Sequence, residues 1–324
     1  MSNLNNVLAL PDEIFSRVFA HSPHNQAWPL VSKQAREVLA RTKPTTHVTC
    51  KDILHYPYDY SVLKNAQRQV ARIKRTSQFF TITGLTFIRD YDPRPVHDGA
   101  PVLTHEDWNE IFESCPQLDY LDFSKSQKFI RLTSHFANNL GYALQCKPQI
   151  KLTYLNLYDL ELSLSDMIKF FDFLKNTGSF ATLKTLELGK NYFSTAFSDW
   201  GDKFENFIEK YKELPALESL SFKNGYFQPD WAPNMKALIE HMGSSKLKFL
   251  SLKNLLIVHE REGVQAEKIW LPLLEALENG QFSQLKKLDI RLNDLGRREI
   301  MQPKFQALEQ KRGVLILKNS SYCT

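Results

Sequence analysis

The chain repeats a short apolar pattern, L-x-x-L-x-L with conservative replacements, seven times between residues 82 and 290. Each copy alternates apolar and other side chains, as expected of a short β-strand with one buried side. The central leucines of the copies recur at intervals of 30 to 38 residues and are Leu85, Leu121, Leu155, Leu186, Leu220, Leu250 and Leu288. This regular spacing predicts seven strands that belong to one kind of structural repeat.

Helical patterns separate these strands. One apolar stripe with i, i+3, i+4 and i+7 spacing runs from Leu164 to Leu174 and predicts a helix that Gly178 stops. Three similar stripes follow: Phe204, Phe207, Ile208 and Tyr211; Met235, Leu238, Ile239 and Met242, before Gly243; and Ile269, Leu273, Leu274 and Leu277, near Gly280. The sequence therefore predicts strict alternation of strand and helix.

The alternation over residues 79–318 resembles the leucine-rich repeat family. That resemblance implies an α/β solenoid with parallel strands on the concave face and helices on the convex face. The asparagine that the family places after the last strand leucine has counterparts at Asn191 and Asn293, whereas Asn224 and Asn254 lie one position early. The alternative is a doubly wound α/β domain, which would need longer strands and a glycine-rich phosphate loop. Neither GxGxxG nor GxxxxGK[ST] occurs.

Residues 10–42 form a different pattern, LPDEIFSRVFAHSPHNQAWPLVSKQAREVLART. Two or three short amphipathic helices of this size bury too little surface to be stable alone. The segment resembles the F-box at Leu10, Pro11, Glu13, Ile14, Val18, Phe19, Leu30, Val31, Ser32, Lys33 and Arg36. It departs from the family at Ala35, where a tryptophan is usual, and its loop through Ser22 and Asn25 is short.

The F-box resemblance implies docking on the SKP-type adaptor of a cullin-RING ubiquitin ligase. F-boxes commonly precede leucine-rich repeats, and this chain has that order. The residues expected at the adaptor are Leu10, Pro11, Ile14, Phe15, Val18, Phe19, Leu30 and Val31. The alternative is that this segment only caps the apolar edge of the first repeat, as solenoids require.

The predicted organisation has four parts: an F-box-like module at 1–42, a linker and N-terminal cap of the solenoid at 43–78, the leucine-rich repeats at 79–318, and a tail at 319–324. Residues Val314 to Lys318, VLILK, read as a last edge strand.

Substrate binding is expected on the concave face, at the positions that alternate with the buried leucines. The candidates are Tyr120, Asp122, Tyr154, Asn156, Tyr158, Glu187, Lys223, Phe249, Lys253, Lys287 and Arg291. The early tyrosines suit contacts that are apolar on one side and polar on the other. Lys223, Lys253 and Arg291 occupy one column of three successive repeats. They predict an acidic or phosphorylated ligand, unless Asp289, Glu187 and solvent screen them.

Composition narrows the function classes. The net charge is +5, and the basic run from Lys64 to Arg75 interleaves with the apolar stripe of an ordinary helix, so we expect no nucleic-acid or membrane partner. The four cysteines lack CxxC spacing, which favours neither a metal site nor disulfides. No HExxH or GxSxG motif occurs, and the cysteine before Pro116 reads as a buried small residue. We expect no cofactor and no catalysis.

The sequence thus predicts a cytoplasmic, non-catalytic substrate receptor of a ubiquitin ligase, located in the cytosol or nucleus. Signal-peptide and membrane-span patterns are missing from it. An interaction scaffold without ligase association is the alternative, including a bacterial effector that acts in the host cytosol. An inhibitor or sensor that uses the concave face alone is a third possibility.

Overall fold

The fold was analysed in a computed structural model that describes residues 43, 45–51, 70–78, 80–88, 103–125, 134–160, 162–193, 200–227, 231–243, 245–257, 264–293, 295 and 298–318. The strands are β1 (Thr45–Lys51), β2 (Thr81–Ile88), β3 (Tyr120–Lys125), β4 (Tyr154–Asn156), β5 (Thr185–Glu187), β6 (Ser219–Ser221), β7 (Tyr226–Phe227), β8 (Phe249–Ser251), β9 (Leu256–Ile257), β10 (Lys287–Asp289) and β11 (Leu315–Leu317).

The helices are α1 (His105–Ser114), α2 (Ser134–Cys146), α3 (Leu164–Lys175), α4 (Gly178–Thr182), α5 (Trp200–Lys212), α6 (Trp231–Met242), α7 (Val264–Glu278) and α8 (Arg298–Arg312). Residues 70–77 are helical as well. From β2 to β11, helices alternate with the strands of the main sheet, as the periodicity predicts.

The main sheet has nine strands in the order β1-β2-β3-β4-β5-β6-β8-β10-β11, and all its neighbouring strands are parallel. Sequential order is the property of a chain that adds one unit at a time at the same edge. The fold is therefore α/β, with a solenoid-like parallel sheet. A second, smaller pair joins β7 to β9, also in parallel.

The seven central leucines pair directly with one another across the strands, from Leu85 through to Leu288. All seven are buried, and they share one apolar core with the inward stripes of the helices. The register predicted from the repeats is confirmed. Because one side of every strand is buried, the register resists a shift by one residue, which would expose each central leucine.

Two elements extend or refine the sequence prediction. Strand β1 carries the sheet into the segment assigned to the linker and cap, because Thr46, Val48 and Cys50 alternate as buried residues. Helix α3 ends at Lys175 rather than at Gly178, and that glycine instead opens α4. An added β-carbon at Gly178 would lie 2.3 Å from the Pro148 carbonyl oxygen, so the glycine serves close packing and not termination.

Candidate binding surface

The side of the sheet that bears the residues alternating with the central leucines is called the open face. It has three columns. The column before the leucines holds Tyr120, Tyr154, Thr185, Ser219, Phe249, Lys287 and Leu315; the column after them holds Asp122, Asn156, Glu187, Ser221, Ser251 and Asp289; the turn column holds Ser124, Tyr158, Gly189, Lys223, Lys253 and Arg291. Neighbouring strands lie about 4.8 Å apart, so each column is a regular row of side chains.

A recurrent turn holds the backbone beyond several strands. The amide of Ser124 donates to Asp122 Oδ1 at 2.8 Å, that of Tyr158 to Asn156 Oδ1 at 3.0 Å, and that of Arg291 to Asp289 Oδ1 at 3.2 Å. Such side-chain to backbone bonds over two residues are the usual way in which Asp and Asn stabilise a turn. The polar residues after the leucines therefore have a structural task, which explains their burial.

Tyrosines at the N-terminal part of the open face bind one another and their own strands. The rings of Tyr120 and Tyr154 are stacked, with centroids 4.3 Å apart and planes inclined by 8°. The Tyr120 hydroxyl donates to Asp122 at 3.1 Å, and the Tyr154 hydroxyl accepts from Asn156 at 3.1 Å. Burial, with the nearby Asp122 charge, raises the pKa of both tyrosines, so both hydroxyls stay protonated.

A glycine lets one aromatic ring reach this stack from the preceding strand. Gly84 pairs with His47, and a β-carbon at Gly84 would lie 2.3 Å from His47 Nδ1. The imidazole therefore occupies the space that a side chain at residue 84 would fill, and its centroid lies 5.2 Å from that of Tyr120. The row of rings thus begins at His47, which the sequence reasoning missed.

Gly189 in the turn column also leaves space for a neighbouring aromatic ring, as Gly84 does. A β-carbon at Gly189 would lie 2.0 Å from the Lys223 carbonyl oxygen and 2.9 Å from Tyr158 Cδ2. Without a side chain there, Tyr158 extends past Gly189, and its hydroxyl accepts from Asn224 Nδ2 at 2.6 Å. Asn224 Oδ1 accepts in turn from Asn254 Nδ2 at 2.8 Å. One polar chain therefore connects three separate repeats.

The asparagines fall into two structural groups. Asn224 and Asn254 have φ of +60° and +50°, a left-handed conformation that asparagine tolerates better than most residues. Asn191 and Asn293 are buried; Asn191 Nδ2 donates to the Leu157 and Leu188 carbonyl oxygens at 2.8 and 2.7 Å. Its Oδ1 accepts from two backbone amides of the preceding repeat, at 3.2 and 3.0 Å. The one-residue offset seen in the sequence thus separates turn residues from buried backbone clamps.

Glu187 lies between the N-terminal part of the open face, which holds Tyr120, Tyr154 and Tyr158, and the C-terminal part, which holds Phe249, Lys253, Lys287 and Leu315. Burial raises the pKa of this carboxyl, and Asp122 adds to the increase, while a Ser221 hydrogen bond and the Lys223 charge oppose it. The carboxylate is therefore costly to keep ionised in the folded protein, unlike a solvated surface acid. Its position brings it under the influence of Lys223, as the sequence reasoning allowed.

The cations of the turn column, Lys223, Lys253 and Arg291, are only partly available to a ligand. Arg291 donates from Nε to Asp289 Oδ1 at 2.9 Å and from Nη2 to Oδ2 at 2.8 Å, a bidentate pair. Burial opposes ionisation of Asp289, but these hydrogen bonds and the Arg291 and Lys253 charges lower its pKa on balance. Lys223 places its ammonium 5.7 Å from the centre of the Tyr158 ring. The predicted screening by Asp289 thus applies to Arg291.

Two lysines at the C-terminal part of the open face differ from Arg291. Among the described residues, no carboxylate lies within ion-pair distance of Lys253 or Lys287. Lys287 is exposed and lies over the Phe249 ring, 5.4 Å from its centre. On its other side, Lys287 pairs with Leu315, whose exposed fraction is 54%. The edge of the sheet therefore presents lysine between two apolar side chains, a feature for which only Phe249 and Lys287 had been predicted.

Several predictions concern other parts of the chain. The adaptor residues Leu10, Pro11, Ile14, Phe15, Val18, Phe19, Leu30 and Val31 lie outside the described residues. Cys115 is buried, as predicted, and burial raises the pKa of its thiol and that of Cys50, the latter to about 12. Thiols of that kind are protonated near neutral pH and react slowly.

The described part of the chain contains no group of three or more His, Cys, Asp or Glu side chains placed to hold a metal ion. No helix there has the length and apolar character needed to cross a bilayer.

The comparisons with known proteins show no family for this chain. No known protein family matches the chain, and no curated protein matches it. Among solved structures 49 chains match, including the crystal structure of a TLR13–ssRNA13 complex, at 16% identity and a TM-score of 0.34. The match covers 74% of this chain and 26% of that one, so this chain spans about a quarter of its length. This degree of similarity carries no functional conclusion.

Proposed function

We propose that the chain is a leucine-rich-repeat solenoid whose open face, as its concave side, binds another protein. The observation that carries the proposal is the register of the nine strands, which sets side chains from separate repeats into continuous columns. The side chains of such columns can differ from repeat to repeat while the backbone stays the same. This property suits a surface that recognises a protein segment.

The second half of the proposal is that the chain is the substrate-recognition subunit of an SCF-type ubiquitin ligase. It is a non-catalytic receptor, with residues 10–42 binding the SKP-type adaptor and the open face binding the protein to be modified. The support for this half is the F-box resemblance and its position before the repeats. The apolar character of the short helices predicted there gives a physical reason for a partner, since they bury little surface alone.

Co-purification tests the adaptor half. Full-length chain and an SKP-type adaptor are co-expressed, and the adaptor retained on the tagged chain is measured. The double variant Leu10→Asp with Ile14→Asp should lose the adaptor, because two carboxylates would enter an apolar contact. Lys287→Glu, on the open face, is the matched control and should retain it.

The outcomes separate the candidate functions. Failure of the unaltered chain to retain the adaptor, or retention by the double variant Leu10→Asp with Ile14→Asp, would remove the ligase function. Ligand binding at the open face without an adaptor would instead support the interaction scaffold, whether from a eukaryote or delivered by a bacterium.

A further inference from the structure

We infer that the C-terminal part of the open face, defined by Phe249, Lys253, Lys287 and Leu315, binds an acidic segment of the protein partner that also carries apolar side chains. The inference rests on the proposed function of the open face and names the chemistry of its ligand. It also assigns the tyrosines of the N-terminal part to folding and not to recognition.

The first step is the distribution of charge. Asp289, which lies on β10 between Lys287 and Arg291, already forms a bidentate contact with Arg291. Lys253 and Lys287 then add two positive charges that no described carboxylate neutralises within ion-pair distance. An incoming carboxylate or phosphate would form charge-assisted hydrogen bonds there without first breaking an internal pair.

The second step is the apolar contribution. Lys287 pairs with Phe249 on one strand and with Leu315 on the other. At a strand spacing of about 4.8 Å, positions 249 and 315 lie roughly 10 Å apart, with Lys287 on the strand between them. Because the Lys287 ammonium already lies over the Phe249 ring, 5.4 Å from its centre, it loses less freedom when a ligand binds. An acidic residue next to apolar residues matches this arrangement.

The tyrosines of the N-terminal part of the open face are less available to a ligand. Tyr120, Tyr154 and Tyr158 each direct their hydroxyl to a protein partner, namely Asp122, Asn156 and Asn224. A ligand that accepted from Tyr120, or that donated to Tyr154 or Tyr158 in place of Asn156 or Asn224, would have to replace an existing hydrogen bond, which gives little net free energy. Lys253 and Lys287, in contrast, form no described ion pair that a ligand would have to break.

Charge also favours a protein ligand over a nucleic acid. A nucleic-acid surface needs a run of cations along the phosphate backbone. Here Glu187 and Asp289 lie in the column after the leucines, between the column that holds Lys287 and the turn column that holds Lys253. These acidic residues interrupt the run of cations that a continuous polyanion would need. A short segment with a few localised negative charges avoids them.

Fluorescence anisotropy of labelled peptides tests the inference on the full-length chain. The probes are a peptide of alternating Glu and Leu, the same peptide with Gln for Glu, a version with phosphoserine for Glu, and a single-stranded oligouridylate of equal charge. We expect the Glu or the phosphoserine peptide to bind, with affinity falling as salt rises, and the Gln peptide to bind at least about tenfold more weakly.

Charge reversal locates the site. Lys253→Glu with Lys287→Glu should weaken binding of the acidic peptide at least about tenfold. The matched control, Lys236→Glu with Lys268→Glu, changes the net charge equally but alters exposed positions on α6 and α7, and should change binding by less than about twofold. Thermal melting should show both double variants folded, since Lys253 and Lys287 form no described ion pair and the Lys236–Glu240 pair of the control is solvent-exposed.

Four results would each overturn the inference: equal binding of the Glu and Gln peptides, equal loss in the two double variants, tighter binding of the oligouridylate than of every acidic peptide, or no detectable binding of any acidic peptide. These outcomes are distinct from failure of the proposed ligase function, which is measured by adaptor retention and does not depend on Lys253 or Lys287.

Discussion

Side chains in the same columns have different roles in the N-terminal and C-terminal parts of the open face. At the N-terminal part, the tyrosines stack on one another and hydrogen-bond to Asp122, Asn156 and Asn224. At the C-terminal part, Lys253 and Lys287 extend from the same positions without a described carboxylate partner. A position in a repeat therefore does not determine whether its side chain recognises a ligand. What decides it is whether the neighbouring repeats already satisfy that side chain.

This comparison makes opposite predictions for the two parts. Substitutions at the N-terminal part should lower stability and leave acidic-peptide binding unchanged. Substitutions at the C-terminal part should do the reverse.

Gly189→Ala should give the largest effect, a loss of about 2–4 kcal/mol in the free energy of unfolding. The added carbon would lie 2.0 Å from the Lys223 carbonyl oxygen, so the backbone of the next repeat must move. Urea denaturation of the full-length chain measures this. Removing the second neighbour, with Tyr158→Ala, should not restore stability, because the main obstacle is backbone; full restoration would contradict the close approach.

Gly84→Ala should cost less, about 1–2 kcal/mol, because the obstacle is the movable His47 ring. Here the second substitution, His47→Ala, should recover most of the loss. A double-mutant cycle from urea denaturation gives the coupling between the two sites. Additive losses would show that the imidazole does not occupy the space above the glycine.

Tyr158→Phe should lower the free energy of unfolding by about 1 kcal/mol, since it removes the acceptor for Asn224 Nδ2. Lys287→Met is the matched substitution at the C-terminal part and should change stability by less than about 0.5 kcal/mol, because its exposed ammonium has no described ion pair. Their effects on acidic-peptide binding should be reversed. The same ranking in both assays would end the distinction between the two parts.

Glu187→Gln should give the smallest effect, and its sign depends on pH. The folded pKa of Glu187 is raised by burial. Its favourable contribution is therefore fully present below the unfolded pKa and is lost as pH rises through the folded pKa. The variant should raise the Tm by no more than about 3 °C at about pH 7, and by less at about pH 4. A Tm gain that is larger at the acidic pH would contradict a raised pKa.

The sheet register could be predicted from the sequence because it follows from a local rule. Each central leucine is flanked by alternating positions, and burial of one side of a strand excludes a shift by one residue. Helix ends were harder to locate. Gly178 looks like a stop signal in the sequence, but its role is set by the Pro148 carbonyl oxygen, which belongs to the turn before β4.

The sequence predicted which residues share a column of the open face, but not all of the hydrogen bonds that their side chains form. Asp289 and Arg291 alternate along one strand and its turn, so their pairing follows from a period of two. The Tyr158 to Asn224 hydrogen bond joins residues 66 positions apart and depends on the absence of a side chain at Gly189. No local pattern signals such a contact, so the sequence presented Tyr158 as a recognition residue.

One left-handed residue follows each central leucine from Leu155 to Leu288 by four positions: Asp159, Lys190, Asn224, Asn254 and Leu292. The leucines themselves recur at unequal intervals, so the variation in length falls on the return path through the helices. A repeat unit can therefore be counted from one strand to the next. Excising residues 221–250 would join the strand of Leu220 to the turn that now follows Leu250, and would shorten the protein by one whole unit.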